Sequence, residues 1–136
     1  MASNLKFSTA LRNAMMDAIT AFAGSGALIR LYTGAQPSNP QTAIGAQTLL
    51  GTLTCSSALA PAASGGVLTL NAVSSDTDAD AGGTPTWFRM FKSDGTTVVM
   101  DGSVGTSDAD LVLNTANIAQ HSTLAISSAT LTAPNG

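Results

Sequence analysis

Three aspartates at alternate positions, Asp76, Asp78 and Asp80, are the one arrangement in this sequence with the character of a metal site. Carboxylates are preferred ligands of Ca²⁺, and alternate carboxylates can converge on such a cation where the backbone curls. An EF-hand loop starting at Asp76 would need glycine and glutamate where Ala81 and Trp87 stand. On an extended segment the three acids would share one face and discourage unwanted strand pairing. We therefore expect a solvated acidic loop or strand edge, with a weak Ca²⁺ site as the alternative.

Nucleophilic catalysis would depend on His121, the single histidine. A catalytic triad needs a nucleophile, a base and an orienting acid, but His121 lies in a predicted turn and the sequence contains no Gly-x-Ser-x-Gly motif. The single cysteine, Cys55, lies in a strand-like run without a second cysteine or histidine nearby, so we interpret it as a buried or half-buried small side chain. The sequence therefore predicts no catalytic residues, no cofactor and no internal disulfide.

Charged side chains are scarce, at 10% of residues against roughly 25% in ordinary soluble domains. All eight acidic residues are aspartate. The five basic residues are scattered along the chain: Lys6, Arg12, Arg30, Arg89 and Lys92. Because no basic patch forms, we expect no nucleic-acid partner. A surface rich in serine, threonine, alanine and glycine is easily desolvated, which favours packing against a neighbour. An extracellular type of protein that is simply rich in serine and threonine is the alternative.

The length of 136 residues fits a single domain that buries a sizeable core. The first residues lack the charged region and long apolar run of a secretory signal. No apolar run approaches the roughly 18 residues of a transmembrane helix. We therefore expect no membrane partner, and a protein that stays in the cytoplasm or leaves it inside a particle.

The elements that would position these residues begin with a helix over residues 8–23. Ser8 or Thr9 can cap it, and a glycine-rich stretch follows it. Apolar residues recur at helical spacing in one stripe: Leu11, Met15, Ile19 and Phe22. Arg12 and Asp17 point elsewhere. We expect the stripe to dock on the protein's own core, with a neighbouring subunit as the alternative.

After residue 26 the apolar pattern changes to alternation. Residues 27–33 place Ile29 and Leu31 on one face of a strand, opposite Arg30 and Tyr32. Further predicted strands cover residues 49–56, 67–71, 84–92, 97–101, 103–105, 109–114 and 123–132. Turn signals separate them, and residues 93–95 indicate a hairpin. Residues 34–46, which contain two prolines, are predicted to form a long loop.

This spacing of short strands predicts a mainly β protein, an antiparallel β-sandwich of jelly-roll type with one N-terminal α-helix. The single domain would span residues 1–136, with an N-terminal arm and helix over about residues 1–24 and strands within about residues 27–132.

The WFRMF run holds the single tryptophan and two of the four phenylalanines. Alternation places Trp87, Arg89 and Phe91 on one face and Phe88 and Met90 on the other. Large apolar residues on both faces indicate a central strand, or a strand with one face in the core and the other against a partner. We favour Phe88 and Met90 as core residues, which leaves Trp87 as an interface candidate.

Six blocks of sequence, in order over most of the length, resemble a family of small virion proteins of tailed phages and prophages. The blocks are LKFSTALRN (5–13), LIRLYTGAQP (28–37), AGGTPTWFR (81–89), DGSVG (101–105), DADLVLN (108–114) and ISS (126–128). The size and β-rich pattern are similar to those of head decoration, or cement, proteins, which sit on the outside of the capsid shell. The resemblance implies a sandwich fold and a structural role, and it brings no catalytic or ligand-binding residues.

The leading hypothesis is a capsid decoration protein in the virion, assembled in the bacterial host cytoplasm. Its partners would be the major capsid protein and copies of itself, held by many weak contacts. The interface candidates lie in the N-terminal arm, the proline loop and the aromatic strand: Leu5, Phe7, Pro37, Pro40 and Trp87. The C-terminal tail, residues 132–136, is a further candidate contact.

Two alternatives remain open. A tail, neck or fibre-associated protein would share the fold but differ in copy number. A sugar- or calcium-binding β-sandwich module would use residues 76–80 and an exposed face of Trp87.

Overall fold

The computed structural model describes residues 4–134 and contains one helix and seven strands. The elements are α1 (Thr9–Ala23), β1 (Leu28–Tyr32), β2 (Leu49–Thr54), β3 (Val67–Thr69), β4 (Trp87–Phe91), β5 (Val98–Gly105), β6 (Leu111–Leu113) and β7 (Ile126–Thr132). The prediction of a mainly β protein with one N-terminal helix is confirmed. Residues 1–3 of the predicted arm and residues 135–136 of the predicted tail lie outside the described residues.

Local contacts set both ends of α1. The Leu11 N–H donates a hydrogen bond of 3.1 Å to the hydroxyl oxygen of Ser8, the N-cap. Gly24 follows the last helical residue with φ of 70°, a left-handed conformation that favours glycine, and its N–H donates to the Thr20 carbonyl. The helix predicted over residues 8–23 is therefore confirmed to within one residue.

The strands form one hydrogen-bonded sheet in the order β2-β1-β4-β5-β6-β7-β3. All neighbouring strands are antiparallel except β5 and β6, which are parallel. The first part of β5 pairs with β4, whereas its last two residues, Val104 and Gly105, pair with β6. Strand β5 therefore joins two halves of the sheet, β2-β1-β4 and β6-β7-β3.

The separate strands predicted over residues 97–101 and 103–105 are one strand, β5, so this prediction is wrong in its division. Gly102 suggested a turn but lies inside the strand, opposite Phe88 of β4. A Cβ atom at Gly102 would lie 2.6 Å from Cζ of Phe88, whose side chain is fully buried. The glycine is therefore required by a close approach of side chain to backbone, and the strand continues through it.

The core lies on the face of β4 that was favoured from the alternation and on the face of β1 that Ile29 and Leu31 share. Ile29, Leu31, Phe88 and Met90 are at most 1% exposed. They belong to one cluster with apolar residues from β2, β3, β6 and β7, including Leu53, Leu68, Leu111 and Leu131. Both halves of the sheet therefore contribute to a single core.

The segment over residues 74–83 connects the two halves at a second place. The Asp80 N–H donates to the Leu50 carbonyl of edge strand β2 at 2.8 Å. On its other side, Asp76 and Leu124 exchange two backbone hydrogen bonds of 3.0 and 2.7 Å, two residues before β7. The segment therefore covers the free edge of β2 and holds it near β7.

Candidate functional site

Helix α1 turns most of its apolar side chains outward. Eight of its residues are exposed, and all but Thr9 are apolar: Ala10, Leu11, Ala14, Met15, Ala18, Ala21 and Phe22. We call these seven residues the outer face of α1. Among residues 4–134, the exposed large hydrophobic side chains all lie on this face or in the arm before it: Leu5 (63%), Leu11 (48%), Met15 (37%) and Phe22 (49%). Grouped exposure of this kind marks an interaction surface.

The polar side chains of α1 point toward the sheet and hold the helix there. Asn13 Oδ1 accepts a hydrogen bond from the Gly66 N–H at 2.8 Å, and Asp17 Oδ1 accepts one from the Ala63 N–H at 2.7 Å. Arg12 Nη2 donates to the backbone carbonyl just after β7, at 2.8 Å. The helix is therefore attached by side-chain contacts to the backbone at one end of the β3–β7 pair, where β3 begins and β7 ends.

The prediction that the stripe of Leu11, Met15, Ile19 and Phe22 docks on the core is wrong for three of these residues. Only Ile19 packs against the core, beside the buried Met16 and Ala23. The reason is that backbone amides near β3 need acceptors, and the polar face of the helix supplies them. The signal was present in the sequence, because four polar residues also recur at helical spacing: Arg12, Asn13, Asp17 and Thr20.

The arm candidates lie directly before this helix. Leu5 is 63% exposed, whereas Phe7 is half-buried. At the other end of the outer face, the Lys92 ammonium lies 4.3 Å from the centre of the Phe22 ring. A cation over an aromatic face is a weak attraction at an exposed position. The outer face of α1 therefore ends at a charged side chain from the β4–β5 hairpin.

The candidates Pro37 and Pro40 are half-buried in a loop that is held in place by hydrogen bonds. Residues 34–46 contain no strand, as predicted, and the loop between β1 and β2 covers residues 33–48. Within the loop, Gln47 Nε2 donates to the Ala35 carbonyl at 2.7 Å. From the sheet, Arg89 Nη1 donates to a loop carbonyl, that of Thr42, at 2.7 Å. The loop is therefore held against the face of the sheet that carries Arg89, opposite the core face.

The expectation of an exposed Trp87 is wrong, because its side chain is fully buried in this chain. Its ring stacks on Tyr32 of β1 with centres 4.7 Å apart, and its indole N–H donates to the Thr33 carbonyl at 3.3 Å. Arg89 lies over the same ring at 5.4 Å. Because Tyr32 and Arg89 cover the Trp87 ring, no sugar can stack on it. A partner could reach the ring only if the loop that begins at Thr33 rearranged.

Arg89 and Asp101 form an ion pair in which each side chain is 3% exposed. Nε and Nη2 of the guanidinium donate to the two carboxylate oxygens at 2.7 and 2.9 Å. Hydrogen bonding to Asp101 raises the pKa of Arg89 above its usual value, which opposes the effect of burial. Burial raises the pKa of the nearby Tyr32 phenol. Each guanidinium nitrogen and each carboxylate oxygen has a hydrogen-bond partner, which makes the pair a structural element that supports the loop.

The three aspartates of the possible metal site are separated by their hydrogen bonds. Asp76 uses Oδ2 to accept from the Thr52 N–H at 2.9 Å and Oδ1 to accept from the Asp78 N–H at 2.9 Å. Asp78 Oδ1 contacts His121 Nδ1 at 2.6 Å, and both side chains are 73% exposed. The backbone of Asp80 bonds to β2. Among residues 4–134, no three acidic, imidazole or thiol side chains are grouped to hold a metal ion, so the weak candidate site does not form.

The two other residues considered for catalysis, His121 and Cys55, lie in settings that do not activate them. His121 has φ of 68° in a turn, and the hydroxyl of the adjacent Ser122 donates to the Ala119 carbonyl. The Asp78–His121 pair is therefore an exposed contact, and the nearby Ser122 hydroxyl donates its hydrogen bond to the backbone and not to His121. Burial raises the pKa of the Cys55 thiol to about 11, so the thiol stays protonated near neutral pH.

A groove of about 270 Å³ opens where β4 and β5 diverge. It is lined by Thr84, Pro85, Thr86, Val104, Gly105, Thr106, Leu113, Thr115 and Ala116. None of these residues has an ionisable side chain, so the groove offers hydroxyl and apolar contacts but no acid or base.

In comparisons with family models, curated proteins and solved structures, no match to this chain was found. No helix within residues 4–134 is both long and apolar enough to cross a bilayer. The strongest candidate functional feature is therefore the one that the geometry itself supplies, the outer face of α1.

Proposed function

We propose that this protein is a non-catalytic structural component of a phage virion, a decoration protein that stabilises the head shell. The observation that carries the proposal is the outer face of α1, an apolar surface presented to solvent on a rigidly attached helix. The resemblance of six sequence blocks to small phage virion proteins supports the same reading. The proposed partners are the major capsid protein and copies of this chain, in a particle assembled in the bacterial cytoplasm.

The outward apolar face and inward polar face of α1 suit a subunit that packs against a neighbour. A monomer would gain stability by turning Leu11, Met15 and Phe22 toward its own core, at about 25 cal/mol for each Å² of apolar surface buried. Here those three residues remain 37–49% exposed. In a shell, each copy would bury this surface against a neighbour, and many weak contacts would add through multivalency.

The proposed architecture within the shell is a β-sandwich-like body. Its support is that the two halves of the sheet joined at β5 contribute to one core. The ordered loop over residues 33–48 is a second proposed contact, because Arg89 and Gln47 hold it in one conformation before any partner binds. A pre-ordered contact loses less conformational entropy on binding.

The test is the copy number of the protein in purified virions, measured by quantitative mass spectrometry of separated heads and tails. A decoration protein is expected in the head fraction, at a copy number comparable to that of the major capsid protein. A copy number far below the capsid protein would overturn the proposal. Recovery in the tail fraction would favour a tail, neck or fibre-associated role instead.

A variant sharpens this test. Met15→Lys places a charge in the outer face of α1 at a side chain that is 37% exposed, so the fold is retained while binding is weakened. Ser127→Lys, at an exposed position of β7, is the matched control. Heads assembled with the Met15 variant are expected to hold fewer copies than heads assembled with the control. Equal incorporation would show that α1 is not the attachment surface.

A further inference from the structure

We infer that the outer face of α1 binds the same face of a second copy of this chain, in an antiparallel helix pair. The inference goes beyond a place in a virion, because it assigns the partner of this surface in solution. The face is continuous: at 100° per residue its seven positions fall within an arc of roughly 140°. An apolar arc wider than about 100° is the pattern of a helix that packs against another element.

The charge distribution allows two identical faces to meet. Arg12 and Asp17 are bonded on the opposite side of the helix, so no charged residue of α1 lies in the outer face. Two copies therefore bring their faces together without desolvating a like-charged pair. A partner surface of either charge would gain nothing from this face, whereas a second uncharged helix matches it.

The order of side-chain sizes is self-complementary. In an antiparallel pair with its two-fold axis at the level of residue 16, Ala14 lies opposite Ala18 of the second copy. Leu11 lies opposite the second copy's Ala21, next to its Phe22. The alanines let the two helix backbones approach closely, and the large side chains pack beside them.

The antiparallel direction follows from charge. Lys92 lies over Phe22 at the C-terminal end of the face. A parallel pair would bring both Lys92 ammonium groups to the same end, whereas an antiparallel pair with its axis at residue 16 separates them by about 18 Å along the helices. Antiparallel helix dipoles also attract each other.

The area of the face sets the strength of the pair. With about 200 Å² for a fully exposed large side chain, exposures of 48% for Leu11, 37% for Met15 and 49% for Phe22 leave roughly 270 Å² of large apolar side chain. A standard interface buries about 800 Å² on each partner. The pair is therefore weak and reversible in solution.

Disulfide trapping tests both the pairing and its direction. Ala14→Cys and Ala18→Cys replace exposed residues, while the native Cys55 stays buried and protonated. One variant is labelled with ¹⁵N, the two are mixed, and the disulfide-linked products are separated by mass. We expect the mixed 14–18 product to form at least about five-fold faster than either like pair, because like positions lie about 6 Å apart along the antiparallel axis.

Each other outcome contradicts part of the inference. Like pairs that form as fast as the mixed product would indicate a parallel or unspecific contact and overturn the antiparallel arrangement. Rates no higher than that of the exposed control Ser127→Cys would overturn the pairing itself.

Sedimentation velocity supplies an independent measurement on the unmodified chain. From about 10 µM to about 1 mM, the range expected for a contact of this size, the sedimentation coefficient should rise. The variant Ala18→Lys should stay monomeric over the same range, whereas Ser127→Lys should associate like the unmodified protein. A wild-type protein that is monomeric throughout would overturn the inference and assign the outer face to a different protein. The virion copy number would be unaffected by that result, so the two proposals fail separately.

Discussion

Removing Asp101 should destabilise this protein more than most single substitutions, because it leaves the buried Arg89 guanidinium without its counter-ion. The side chains of Arg89 and Asp101 are each 3% exposed and are joined by two short hydrogen bonds. In Asp101→Ala, the guanidinium would keep only the Thr42 carbonyl as an acceptor. The remaining donors would be buried without partners in a region closed by Trp87.

The expected loss is about 3–5 kcal/mol, the usual cost of breaking a buried ion pair by removing one partner. Unfolding entropy near the midpoint is about 2.1 cal/mol/K per residue, or roughly 0.29 kcal/mol/K for 136 residues. The melting temperature should therefore fall by about 10–17 °C. Such a loss is a large part of the about 5–15 kcal/mol that stabilises a typical domain.

The assay is thermal and urea unfolding of the wild type, Asp101→Ala and the double variant Arg89→Met/Asp101→Leu. Because the double variant leaves no buried charge, it should be more stable than Asp101→Ala by at least about 1 kcal/mol. Its loop over residues 33–48 should exchange amide protons faster, since Thr42 loses its contact. A loss below about 1 kcal/mol in Asp101→Ala would refute the reasoning, because it would mean that water reaches the guanidinium.

Three further predictions follow from single contacts. Gly102→Ala should lower the free energy of unfolding by about 1–3 kcal/mol in urea melts, because its Cβ overlaps the buried Phe88 ring; an unchanged midpoint would contradict this close approach. Asn13→Ala should cost about 1–3 kcal/mol by leaving the Gly66 N–H without its acceptor, whereas Asn13→Asp should stay near wild type; equal losses in the two variants would show that the missing acceptor is not the cause. Hydrogen bonds from the Thr97 hydroxyl and from the Thr97 and Thr96 amides hold the pKa of Asp94 at about 2. The stabilisation by this carboxylate is therefore complete above about pH 4 and is lost as the pH falls toward 2. Plots of melting temperature against pH for Asp94→Asn should lack this part of the acid dependence, and parallel plots for both proteins would refute it.

The mainly β character with one N-terminal helix could be predicted from sequence, because it depends on local patterns. Alternation in β4 predicted Phe88 and Met90 as core residues, and both are buried. Alternation in β1 put Ile29 and Leu31 on one face, and the structure makes that face part of the core. The hairpin turn at residues 93–95 connects β4 and β5, as its composition predicted. Gly102 misled the division of β5, because the same residue type serves both turns and close packing.

The candidate surface required the tertiary structure. Sequence alone determined that α1 is a helix with an apolar face and a polar face, since both follow from spacing along the chain. Which face turns inward depended on unpaired amides that the fold brings beside it, at Ala63 and Gly66. The surroundings of Trp87 and Asp76 were also set by segments distant in sequence. Trp87 donates to the loop at Thr33, and Asp76 accepts from strand β2 at Thr52. Burial is a property of neighbours in space, and the chain order does not specify those neighbours.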